Sequence, residues 1–136
     1  AHIGMARSLC EYPEVSAELC LLEQELGILM GSIALYPGLT CPNIGTIERI
    51  IGTVADVTGK HFRFVRPGDS TTGAALHVAR TVARRAERTA VSLFRTGDLA
   101  GDAFQYINRL SDVLYALALW HDHLRRRDEG ISETCS

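Results

Sequence analysis

No stretch of this sequence is apolar for long enough to cross a membrane as a helix, which takes about 20 residues. No basic start followed by an apolar run and a small-residue cleavage site marks a secretory leader. There is no CxxC pair, and none of Cys10, Cys20, Cys41 and Cys135 stands at zinc-finger spacing from a histidine. A zinc module and a disulfide scaffold are therefore excluded, and the cysteines read as reduced thiols of a cytoplasmic protein. Charge of one sign is not in excess either. A formal net charge of −2 exerts no global pull toward nucleic acid or an anionic membrane. Internal repeats, low-complexity segments, a dinucleotide-binding glycine loop, a nucleophile triad and a metal-ligand constellation are all missing.

What remains is a chain of 136 residues, 46% hydrophobic and 22% charged, enough for one domain with a real core and too short for two. Its apolar residues recur at helical spacing. Pro13 suits a first helical turn, where its missing N–H costs nothing. From there Val15, Leu19, Leu22, Leu26, Leu29 and Ile33 form one seam, and Tyr36-Pro37-Gly38 ends the element. Gly27 and Gly31 lie one turn apart on another face and would allow close backbone approach. Pro42-Asn43 opens a second helix with the seam Ile44, Ile47, Ile51 and Val54, widened by Ile50 and stopped at Gly59. Lys60 to Ser70 alternates aromatic and basic residues. With no partner strand in the sequence it reads as an extended loop, and Pro67-Gly68 makes a turn before the next helix.

Thr71 to Arg95 is the most informative stretch. At about 100° per residue, Ala75, Ala79, Val82, Ala83, Ala86, Ala90, Leu93 and Phe94 share one arc. His77, Arg80, Thr81, Arg84, Arg88, Ser92 and Arg95 share the opposite one. The alanine-rich arc lets a neighbouring helix approach closely. Asp69 or Ser70 can cap the start, and Gly97 stands where a left-handed residue would stop the helix. Eight of the fourteen Lys and Arg residues lie between Lys60 and Arg95, a local bias toward anions. The plainer reading of that arc is a solvated basic face.

A fourth helix runs from about Asp102 to Arg127. Phe104, Ile107, Leu110, Leu114, Leu117, Ala118 and Leu124 make its core side. Ala116, Leu119 and Trp120 stand on its other side with Asn108, Arg109 and Asp112, so both sides expect cover. Polar groups in a covered face need partners, because an unpaired buried charge is costly. Arg84 and Arg88 are the expected partners of Asn108 and Asp112, within the chain or across a subunit boundary. The alternative is that these four residues serve only as an inter-helix network holding subunits together. Asp98 and Asp102 read as caps. His77 could act as a general base or be an ordinary interface histidine. His121 and His123 point apart on a helix and make a poor chelate, so no metal is expected. Phe62, Phe64 and Arg66 could line a site for a flat apolar ligand or fill the core.

The organisation expected is all-α: an antiparallel four-helix bundle of one domain over residues 5–127. Ala1 to Gly4 before Met5 reads as a cloning remnant, and 128–136 as a flexible tail. Apolar faces on two sides of a helix in so short a chain suggest an oligomer.

The phrases Phe64–Ser70 (FVRPGDS), Leu76–Arg88 (LHVARTVARRAER) and Tyr106–Asp112 (YINRLSD) resemble the ATP:cob(I)alamin (corrinoid) adenosyltransferases of the trimeric helical type. Leu21–Pro37 is more weakly similar to an earlier helix of that family, so the likeness covers most of residues 19–120. The resemblance implies a homotrimer with small-molecule sites in the grooves between subunits, and ATP and cobalamin as ligands. It implies roles for Arg84, Arg88 and Asn108 around the nucleotide. Glu87 stands among them, with Asp112 as an ion-pair partner and Arg80, His77 and Phe64 along the ligand site. A planar guanidinium clamps phosphate or carboxylate with two parallel hydrogen bonds, which a Lys cannot do. The implied reaction is attack of cob(I)alamin on the ribose C5′ of ATP, with triphosphate leaving.

The family's N-terminal phosphate loop, similar to T-G-D-x-G-x-T, has no counterpart here. If the chain starts at Met5, the expectation is that the phosphate cradle is not encoded. Three functions follow. One is adenosylation in the intersubunit groove, with a partner supplying the cradle or part of the site retained. The second is a repurposed homologue that cyclises or isomerises another small molecule there. The third is a non-catalytic protein that binds cobalamin or another effector.

Overall fold

The computed structural model describes residues 1–59 and 66–130. Among them the regular structure is all helical: α1 (His2–Leu9), α2 (Pro13–Ile33), α3 (Gly45–Thr58), α4 (Thr71–Arg95) and α5 (Gly101–Asp128). The fold is an all-α bundle of five helices rather than four. The additional one is α1, which takes in the stretch read from sequence as a remnant and buries Ile3 and Ala6 in the core. It lies between α2 and α4 and packs on both. Residues 60–65 of the expected loop, including Phe62 and Phe64, lie outside the described residues, as does the tail from 131 with Cys135.

α5 is the hub. α4 covers one side of it, α3 another, and α2 touches it over a short stretch. Its sequence accounts for this. Leu110, Val113, Leu114, Ala116, Leu117, Ala118, Trp120 and Leu124 are buried at positions that run right around the helix. The cover that the sequence pattern demanded on two sides is thus supplied within the chain by α3 and α4. Each fully buried Leu or Ile side chain in this core contributes about 1.5–3 kcal/mol of transfer free energy.

Polar ties fix the periphery. Glu25 on α2 accepts a hydrogen bond from the Tyr106 hydroxyl of α5 (2.9 Å) and another from Thr46 of α3 (2.7 Å). Tyr106 is completely buried. Its hydroxyl is held well above the ordinary phenol range, first by burial and then by the Glu25 carboxylate. Arg49 of α3 clamps Glu18 of α2 with two parallel bonds of 2.9 and 2.8 Å.

α4 begins and ends as its sequence specifies. The Ser70 hydroxyl accepts the Gly73 N–H at 3.0 Å, filling one of the donors that a helix start leaves open. A side chain at Gly73 would put its Cβ 2.8 Å from that hydroxyl, so the cap as built calls for glycine. At the other end Gly97 takes φ +79°, and the Gly97 and Asp98 N–H groups close back on Phe94 and Leu93 at 3.1 and 2.8 Å. The buried arc differs from the expected one. Thr72, Ala75, Leu76, Ala79, Ala83 and Ala90 are buried, whereas Ala86, Leu93 and Phe94 are exposed. In the last turn of α4, Phe94 stacks one face on Phe104 (ring centroids 4.6 Å apart, 8° between planes) and leaves the rest of its ring open.

Candidate functional site

The α4–α5 hairpin carries every predicted site residue that falls within the described region. Short connection and mutual packing make it antiparallel. Two contacts pin its register: Phe94 on Phe104 near the loop, and the Arg80 guanidinium 4.9 Å from the centre of the Tyr115 ring toward the other end. Between those contacts Arg84 lies level with Asp112, and Arg88 level with Asn108.

Arg80, Arg84 and Arg88 succeed one another at one-turn intervals, about 6 Å of rise each. Arg84 and Arg88 are exposed and Arg80 is half-buried. Arg84 approaches Glu87 at 3.5 Å, with 58% of its own side chain accessible. Arg88 and Asn108 have no polar partner among the described residues. Asp112, 55% accessible, is held at 2.7 Å by Arg109, which also reaches Glu48 of α3 at 3.2 Å. The expected pairing of Arg84 and Arg88 with Asn108 and Asp112 is therefore not what the single chain shows. Each carboxylate is taken by the arginine three residues away on its own helix, because i,i+3 side chains are already neighbours before two helices meet. What the fold does bring together is a cationic row with a single carboxylate, Glu87, set into it.

His77 sits at the bundle end of this row. Burial lowers its pKa below the usual imidazole value, and neighbouring Arg80 lowers it further. Its Nε2 is buried without a hydrogen-bond partner among the described residues. Both influences favour the neutral ring. Phe64 lies outside the described residues. Among those described, no three His, Cys, Asp or Glu side chains converge as metal ligands.

Two concave regions flank the hairpin. A groove of about 360 Å³ between α3 and α5 has Val54, Ala116 and Leu119 on its floor and Arg109, Asp112 and Tyr115 on its rim. A slot of about 480 Å³ lies beyond the start of α1, between Leu26 and Met30 of α2 and Val82 and Ala86 of α4. Tyr115 belongs to both the groove and the arginine row, and sequence reasoning missed it. An aromatic at the apolar boundary of a helix carries no signal of its own until the facing arginine is known.

A family model described as "Cobalamin adenosyltransferase" matches residues 1–121, which takes in α1 to α4 and most of α5. The chain belongs to the cobalamin adenosyltransferase family. It is 33% identical to a corrinoid adenosyltransferase of Citrobacter freundii over 126 residues, 87% of this chain and 72% of that protein. It is 34% identical to a cobalamin adenosyltransferase of Cupriavidus metallidurans over 121 residues, 87% of this chain and 66% of that protein. A corrinoid adenosyltransferase of Bacillus subtilis is 31% identical over 112 residues, 79% of this chain and 58% of its own length. The cobalamin adenosyltransferase-like chain thus spans roughly three fifths to seven tenths of these relatives. No described helix is long and apolar enough to cross a membrane.

Proposed function

We propose that this chain is the helical body of a corrinoid adenosyltransferase and that the outer face of its α4–α5 hairpin is the nucleotide side of the site. The observation that carries the reading is the row Arg80, Arg84, Arg88 beside Asn108, cationic and largely unpaired among the described residues. Exposed guanidinium groups at one-turn spacing suit a polyphosphate. Each can hold two oxygens, and a chain of phosphates can run along the helix. Arg84 and Arg88 clamp the phosphates of ATP, and Glu87 restrains Arg84. The Asn108 amide, which both donates and accepts, orients the sugar or the phosphate beside it.

In the transfer the cobalt of cob(I)alamin supplies the electron pair that forms the Co–C5′ bond. The C5′–O bond breaks, and the electrons leave with triphosphate. The arginines stabilise the charge that gathers on that leaving group. Such a site works best when water is excluded, and the exposure of Arg84 and Arg88 on one chain is what a second subunit in a homotrimer would remove. Sequence resemblance and family membership support that assembly.

The test is adenosylcobalamin formation from ATP and a reduced corrinoid, followed by absorbance, together with ATP binding by calorimetry. Arg88→Ala should leave the melting temperature within about 2 °C of the parent, since exposed substitutions away from special features usually cost under about 0.5 kcal/mol. It should weaken ATP binding by about 10-fold or more, the value of a lost charge-assisted hydrogen bond. Unchanged ATP affinity in Arg84→Ala and Arg88→Ala, or binding of neither ligand by the parent chain, overturns the assignment.

A further inference from the structure

Away from the arginine row, three elements meet at one buried imidazole. His121 of α5 is 3% exposed. Its Nδ1 lies 3.5 Å from the Ser70 hydroxyl, the group that caps α4. Its ring meets the ring of Tyr12, in the α1–α2 connection, edge to face at 5.2 Å and 71°. Two residues after Ser70, Thr72 donates to the Leu9 carbonyl at the end of α1 (2.9 Å). The first turn of α4 is thus fastened to the α1–α2 corner and to the end of α5 through Ser70, Thr72 and His121.

We propose that His121 is a proton-operated latch for the start of α4, closed when the ring is neutral and released when it is protonated. The Ser70 hydroxyl has one hydrogen. Its oxygen already accepts the Gly73 N–H, so its hydrogen is free to go to an imidazole nitrogen that bears a lone pair. Only the neutral ring with its proton on Nε2 offers Nδ1 that way. Protonation removes that acceptor, so the Ser70 hydrogen loses its partner and the hydroxyl must turn to present its second lone pair to the new Nδ1–H. It also places a cation in a site with little water.

The charged and titratable neighbours pull both ways, and burial decides between them. From α5, Asp122 favours the cation and Arg125 opposes it. From the α1–α2 connection, Glu11 favours it, and the Tyr12 ring adds an uncharged wall to the site. Asp122 is drawn off by its own ion pairs to Arg126 (3.1 Å) and Arg125 (3.8 Å). Burial is the largest influence, and the neutral ring is preferred. The device does not depend on which ligand the arginine row takes, and it stands or falls separately from that assignment.

Hydrogen exchange at the Gly73 amide reads the latch directly. After correction for intrinsic exchange, protection in the parent chain should be flat from pH 8 to about 6.5. It should then fall by up to tenfold per pH unit, the limit for opening linked to one proton. His121→Phe keeps the edge contact with Tyr12 and cannot titrate, and its Gly73 protection should show no such fall. If His121→Phe keeps the same acid-dependent loss, the latch is refuted. Should that variant fail to fold, an NMR titration of the parent decides. A shared midpoint for the His121 ring and the Gly73 amide supports the proposal, and separate midpoints overturn it.

Discussion

Replacing Tyr106 by Phe isolates one polar tie between α2 and α5. The ring is completely buried and stays so in the variant, which leaves the apolar term nearly unchanged. What goes is one hydroxyl donating at 2.9 Å to a carboxylate. A hydrogen bond to a charged group is worth about 1.5–3 kcal/mol. Glu25 is only half-buried and keeps Thr46 at 2.7 Å, so water and Thr46 recover part of that. A loss of about 1–2 kcal/mol is expected. For a chain of this length that is a fall in Tm of roughly 4–8 °C. Denaturant unfolding should show a lower midpoint with an unchanged slope. The double variant with Thr46→Val strips Glu25 of both donors. It should cost more than the sum of the two single changes, because only then is the carboxylate left without a protein partner. A change under about 0.5 kcal/mol in the single variant would refute the reasoning, since it would mean that Glu25 is held by water and the tie carries no weight.

Gly27→Ala should stabilise the isolated chain by up to about 1 kcal/mol, because an added Cβ there meets nothing within 4 Å and alanine is the better helix former. If a second subunit packs on that face, the gain turns into weaker association, which sedimentation would register. Asp122→Asn should cost about 1–3 kcal/mol by urea unfolding, since it leaves Arg125 and Arg126 without their buried carboxylate. His77 and His121 both have pKa values lowered by burial from the ordinary 6.5. Between that value and its folded one, each binds fewer protons in the native chain than in the unfolded one. Stability should therefore hold above about pH 6.5 and decline as pH falls below it, and a double His→Gln variant should flatten that decline. A parent chain equally stable at pH 7.5 and 5.5 would count against the burial of both rings.

Four of the five helices were legible because their apolar seams, Pro13, Ser70 and Gly97 are local signals that tertiary packing reinforces. α1 was not, since eight residues hold too few turns to show a period. Leu76 and Tyr106 were likewise passed over as core residues, though both are fully buried. A helix wheel ranks faces but does not say how much of a helix's length is covered, which is why Leu93 and Phe94 seemed to be core. In the candidate site, the motif phrases picked out the arginines of α4 and Asn108 and Asp112 of α5. The partner of Asp112 was misjudged although the i,i+3 spacing of Arg109 and Asp112 carries it, because the expectation looked across helices before looking along one.

The wedge position of α1 has a consequence for the order of assembly. α4 and α5 are consecutive and joined by a short turn, so their contacts close small loops and form early. α1 reaches α4 only across some sixty intervening residues, and its hold on the bundle rests chiefly on Ile3, Ala6 and the Thr72 bond to Leu9. It is the piece expected to dock last and come away first. Substitutions at Ile3 or Ala6 would then shorten the lifetime of the native state while leaving the speed of refolding almost untouched.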